Sequence, residues 1–231
     1  MTIGSGDPSH LVGVRALALQ ASLEERRPPL VDRRSNTIST AGQLFNELRA
    51  LLSGVARLSK NPLLESSMDE VWALMKMLPP REALADPARR HLDTLPHRGA
   101  RSVILGGGEP KSTNFDRERS VPHFRRADGA WFEFRLIVEE VEKDRSLEIL
   151  SYGYEIRFPA DHQPPWIRFD LNLPGHDNAD EGLRCHLHPG TEDWSVPYLV
   201  MSPFEALDLL LWHTRPRRSR ARTASSKPDA V

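Results

Sequence analysis

Apolar residues recur at three- and four-residue spacings through roughly the first 95 residues, the period of an amphipathic helix. "HLVGVRALALQASLEERR" puts Leu11, Val14, Ala18 and Ala21 on one stripe and ends before Pro28 and Pro29, with a polar linker from Asp32 to Asn36 behind it. In "TAGQLFNELRALLSGVARLSK", Thr40 and Gln43 have the spacing of a capping box, in which each side chain satisfies an orphan amide of the first turn. Leu44, Leu48, Leu51, Val55 and Leu58 then form an apolar stripe that Pro62 stops. "SMDEVWALMKML" opens on a second capping box, Ser67 and Glu70, and is expected to stay helical up to Pro79 and Pro80. "REALADPARRHLDTL" reads as short helix interrupted at Pro87. Residues 96–120 lose any period and are expected to be irregular. They hold the glycines 106–108 in "VILGGGEPK", which lack the spacing and the Lys-Ser/Thr of a phosphate-cradling loop and read as a flexible loop.

Beyond residue 120 the period becomes two. "WFEFRLIVEEV" sets Phe132, Phe134, Leu136 and Val138 on one face and Glu133, Arg135 and Glu139 on the other. "SLEILSYGYEIRF" is a second strand whose apolar register changes between Ile149 and Leu150, predicting a bulge or two buried faces. "WIRFDL" and "LRCHLH" are a third and a fourth strand. Ser202, Pro203 and Glu205 then open a helix over about 203–212, with Leu207, Leu210 and Leu211 to bury. These elements predict an α+β fold: a helical module over 1–95 for partner or oligomer contacts, an antiparallel sheet domain with a packing helix over 96–212, and a basic tail over 213–231.

Composition narrows the class only a little. Thirty-one basic residues balance 32 acidic ones, so the overall charge does not point to nucleic acid. The end of the chain differs: from His213 onward five arginines and one lysine face one aspartate, without apolar periodicity, which predicts a disordered tail. Cys185 is the only cysteine, so no disulfide forms within one chain. No apolar run approaches the roughly 20 residues needed to span a bilayer, and "MTIGSGDPSH" lacks the order of a signal peptide. A cytoplasmic protein without membrane contact is expected.

The chemistry gathers on the last two strands. Alternation sends Arg184, His186 and His188 to one side and Leu183, Cys185 and Leu187 to the core. It likewise separates Trp166, Arg168 and Asp170 from Ile167, Phe169 and Leu171. If the two strands pair antiparallel, both polar sets share one solvent-facing patch. The register expected for this hairpin sets Asp170 near Arg184 and Arg168 near His186, with His176 in the connecting loop. Three readings fit the patch. Two imidazoles can act as general base and acid on a phosphodiester while arginines stabilise charge on phosphate. His186 and His188 with His176 or Asp170 can hold Zn²⁺, against which the arginines count. The groups can also be surface hydrogen-bonding partners without chemistry.

The order "YGYEIRF … WIRFDLNLPGH … CHLHPG … VPYLVMSPFEALDLL" resembles the TumE-like toxins of bacterial toxin–antitoxin pairs. The matching positions are Arg168, Phe169, Asp170, Pro174, His176, His186, His188, Ser202, Pro203 and Glu205, within about 130–212. The resemblance implies a toxin-like protein of a toxin–antitoxin or defence system that acts on RNA and is neutralised by an antitoxin; taken with the histidine pair, it predicts an endoribonuclease that works without a cofactor, since RNA brings its own 2′-hydroxyl nucleophile. His186 and His188 would exchange protons with the 2′- and 5′-oxygens, Arg168 would bind phosphate, and Asp170 would orient Arg168 or a histidine. Arg184, Trp166 and His176 would contact substrate, Trp166 by stacking a base. A different class also stays open: a non-catalytic subunit of a defence complex, self-associating through the helical module. A metal protein with Zn²⁺ on His176, His186 and His188 is the other alternative.

Overall fold

The first capping box forms as its spacing predicts. The computed structural model describes residues 38–57, 64–112, 121–176 and 182–214. Helix α1 is Ala41–Ala56, with the Thr40 side chain accepting from the Gln43 amide and the Gln43 side chain returning to the cap. Another amide of its first turn, Ala41 N–H, donates to Glu140 at 2.8 Å, which ties the start of the helix to the sheet. Its buried stripe is Leu44, Leu48, Leu52 and Val55. Helix α2, Met68–Leu74, starts at the second box, Ser67 and Glu70.

The chain then departs from the expected continuous helix: β1 follows at once over Met75–Leu78. Its backbone pairs antiparallel with β2, Arg101–Gly106, from Met75↔Gly106 to Leu78↔Val103. The offered ladder outweighs a helical pattern that the sequence carries unbroken to Leu78. Helices α3, Pro80–Ala83, and α4, Asp86–Thr94, follow, the second with Pro87 in its first turn, where the missing N–H costs nothing. The stretch expected to be irregular holds β2, and Gly107 and Gly108 end it with positive φ.

The remaining strands are β3, Phe124–Arg125; β4, Trp131–Val141; β5, Ser146–Arg157; β6, Trp166–Leu171; β7, Cys185–His188; and β8, Val196–Pro197. They form one antiparallel sheet in the order β1-β2-β4-β5-β6-β7-β8, with β3 beside β4. The bulge falls at Leu150: Ile137 pairs with Ser151 and Val138 with Ile149, leaving Leu150 as the extra residue. Helix α5, Pro203–Asp208, capped by Ser202 and Glu205, runs into a π-helical turn over Leu209–His213. The fold is therefore α+β, with helices before a central antiparallel sheet and a packing helix after it. The first helical stretch, 11–27, and the basic tail beyond residue 214 lie outside the described residues.

The two faces of the sheet have different fates. Phe132, Phe134, Tyr152, Tyr154, Ile156, Phe169 and Leu171 form a core with Leu44, Leu48 and Leu52 of α1 and Ala206, Leu207, Leu210 and Leu211 of the closing helix. At one end of the opposite face Val103, Leu105, Ile137 and Leu150 pack with Ala83, Leu84 and Leu92. Much of the rest of that face is polar, beside a row that holds Trp131, Arg157 and Trp166. One cross-strand row reads Glu133–Glu155–Arg168–His188, and the next Arg135–Gly153–Asp170–His186.

Candidate metal centre

Strands β6 and β7 bring the site together. Arg168 pairs with His188 and Asp170 with His186, a register two residues from the one expected. A slip of two keeps every side chain on its predicted face and changes only its partner. The patch is also not solvent-facing: His186 and His188 are 3% and 7% exposed and Arg168 is 2% exposed.

Both histidines are orientated by backbone. His186 Nδ1 lies 2.7 Å from the Leu183 carbonyl oxygen, and His188 Nδ1 lies 3.1 Å from that of Trp194. A carbonyl only accepts, so each Nδ1 carries the proton and donates. In the neutral rings both Nε2 atoms are then bare lone pairs, and these face each other at 3.0 Å. Two lone pairs repel unless a cation lies between them. Burial lowers the tendency of His186 to supply that cation as a proton: it pulls the imidazole below its ordinary 6.5, against the opposing pull of Asp170.

The third donor is Asp170, whose Oδ2 lies 3.9 Å from His186 Nε2 and 3.7 Å from His188 Nε2. A donor atom from each of the three residues falls within 4.8 Å of the others. Zinc sits about 2.0–2.1 Å from a histidine nitrogen and about 2.0–2.2 Å from a carboxylate oxygen, so two ligands of one ion stand no more than about 4.3 Å apart. The nitrogen–nitrogen and nitrogen–oxygen separations here all lie inside that limit. The outer partners also fit: ligating imidazoles give their second N–H to a carbonyl or carboxylate, and ligating carboxylates are themselves hydrogen-bonded. Arg168 Nε donates to Asp170 Oδ2 at 2.6 Å and fixes the carboxylate.

The arginine does not bar a cation. Its Nη1 and Nη2 form a two-pronged pair with Glu192 at 2.6 Å each, and Nη1 lies 3.7 Å from Glu155. Burial works against the guanidinium charge, but hydrogen bonds to Glu192 and Asp170 outweigh it and hold Arg168 protonated. Its positive charge is thus spent on three carboxylates.

These positions correct the cofactor-free expectation. His186, His188 and Asp170 converge as a ligand set, which overturns the metal-independent ribonuclease and favours the metal alternative. The third member is Asp170. His176 is exposed and stacks edge-on against His91, ring centres 6.3 Å apart. Arg184 stays out of the cluster, donating to the carbonyls of Asn172 and Leu150. Trp166 is half-buried, its ring 5.4 Å from the Arg168 guanidinium and 6.3 Å from the His188 ring. Cys185 lies half-buried on the far face beside Tyr152, and burial raises its thiol pKa. Glu192 escaped the sequence reading; its signal was an acid in the turn "PGTEDW" just after His-x-His. The carbonyls of Leu183 and Trp194 carry no side-chain signal at all.

Among the described residues no helix is long and apolar enough to cross a membrane. No family model, curated protein or solved structure matches the chain, so the resemblance to TumE-like toxins rests on its short motifs alone.

Proposed function

We propose that this protein binds a divalent transition-metal ion through His186 Nε2, His188 Nε2 and Asp170. The observation that carries the reading is the pair of bare Nε2 atoms 3.0 Å apart, each ring locked in that tautomer by a backbone carbonyl. Two imidazoles and a carboxylate suit zinc, and suit iron, cobalt or nickel as well. Three protein ligands leave room on the ion for water or an anion, and a bound ion supplies Lewis-acid chemistry there. The chain contributes a rigid ligand frame on two paired strands, a carboxylate orientated by Arg168, and exclusion of bulk water by burial.

The test is metal uptake by the full-length protein. Wild type, His186→Ala/His188→Ala and Asp170→Asn are incubated with Zn²⁺ or Co²⁺ and desalted, and metal is measured by mass spectrometry alongside circular dichroism. About one ion per chain is expected in wild type and much less in the folded variants. Wild type that retains no zinc, cobalt, iron, nickel, manganese or copper sinks the reading.

A further inference from the structure

Arg168 faces two kinds of carboxylate. Asp170 and Glu155 come from the sheet, one on its own strand and one directly opposite on β5, so their positions are set by the ladder. Glu192 comes from the turn between β7 and β8, and it takes a hydrogen bond from each prong of the outer fork of the guanidinium, at 2.6 Å to each Nη. The burial is one-sided: the Arg168 side chain is 2% exposed, that of Glu192 45%. A fully buried cation therefore presents its two-pronged, carboxylate-matching edge to the surface through a partner that water reaches.

The turn is anchored on both sides of Glu192. Gly190 takes φ +87° and packs so closely on Pro164 and Pro165 that a Cβ would stand 2.8 Å from Pro164. On the other side the Trp194 carbonyl accepts from His188. Glu192 belongs to this turn and not to the ladder, so lifting its carboxylate from the fork does not require the paired strands to move. The exchange of one carboxylate for another on the fork is nearly neutral in charge and keeps both charge-assisted hydrogen bonds.

Resting on the metal reading above, we propose that the ion and Arg168 form a two-point receptor for a small dicarboxylate, and that Glu192 is the internal occupant of its arginine half. One carboxylate of the ligand takes an open position on the ion. The other replaces Glu192 on the Arg168 fork, with the Trp166 ring as the adjoining wall. The resident carboxylate lowers affinity for all but ligands that engage both points.

The probe is malonate, titrated into full-length protein loaded with Co²⁺ and followed by the visible absorption of the ion. Azide, which ligates metal without a carboxylate for Arg168, is the control. Wild type is compared with Glu192→Gln and Glu192→Ala. A carboxylate on a short tether competes at millimolar effective concentration or above, so both variants should bind malonate roughly tenfold or more tightly, well beyond the small rise that loss of one negative charge gives azide. Equal malonate affinity in all three proteins, or a parallel change for azide, overturns the proposal and leaves the metal site standing. Unfolding of both variants makes Glu192 a structural residue and overturns it too. Failure of wild type to develop a cobalt spectrum, seen before any malonate is added, removes the metal reading and this proposal with it.

Discussion

His186 and His188 each use one ring nitrogen to hold still and keep the other bare. This division makes metal affinity depend on pH with a definite sign. Protons compete with the ion for Nε2, so affinity is highest where both imidazoles are neutral and falls as acid is added. Each ring costs up to about tenfold per pH unit below its own pKa. Burial lowers the His186 value from the ordinary 6.5, so competition at that ring begins at lower pH than for a free imidazole. Isothermal titration with Zn²⁺ at falling pH should show affinity declining in acid, with the His186 contribution lost at lower pH than for a free imidazole. Affinity that does not fall at any acid pH at which the protein stays folded would mean that His186 Nε2 is not a ligand. The residues of the site were legible one by one: alternation alone placed Arg168, Asp170, His186 and His188 on one face. Their burial was not, because it depends on what the long side chains of neighbouring strands cover.

The elements divide by whether their pattern is unique to one conformation. Helix α1 is legible twice over, by its cap and by its stripe, and the two contribute differently. Leu48→Ala removes a fully buried side chain and should cost about 2–5 kcal/mol. Thr40→Ala removes only the cap hydrogen bond and should cost about 1 kcal/mol. Urea unfolding of the two variants checks the ratio, and equal losses would contradict the packing described for this helix. Strand β1 was illegible for a physical reason. Val71, Leu74, Met75 and Leu78 continue a helical period without a break, and only the open edge of β2 decides for extended backbone. Strand β2 was missed because Val103, Ile104 and Leu105 are all buried, so neither face is polar and no alternation shows. The register of β6 with β7 missed by two because a period of two specifies a face and not a partner.

At the scale of the whole molecule the polar half of the sheet is held by ion pairs as well as by packing. Glu139, on β4, is fully buried and accepts from Arg101 Nε at 2.8 Å and Arg98 N–H at 3.1 Å. Burial alone would raise its carboxyl pKa, but the hydrogen bonds from Arg98 and Arg101 outweigh that and bring it below the ordinary 4.5. A depressed folded value means that Glu139 stabilises the fold above pH 4.5, and that this contribution disappears as the pH falls through the folded value. Glu139→Gln should therefore cost about 3 kcal/mol at pH 7, where the wild-type carboxylate is charged, and progressively less in acid. Denaturant melts of both proteins from pH 7 to pH 3 measure the convergence; a constant gap would assign the loss to shape instead of charge. The outer strands of the sheet carry a different consequence. On one side β1 has four residues and runs into Pro79 and Pro80; on the other β8 has two, one of them Pro197. Proline withholds the amide that an incoming strand needs, and short edges give it little to grip. An open sheet is normally an invitation to its own copies, and here both invitations are withdrawn, so the folded protein should tolerate crowding without adding copies of itself along its ladder.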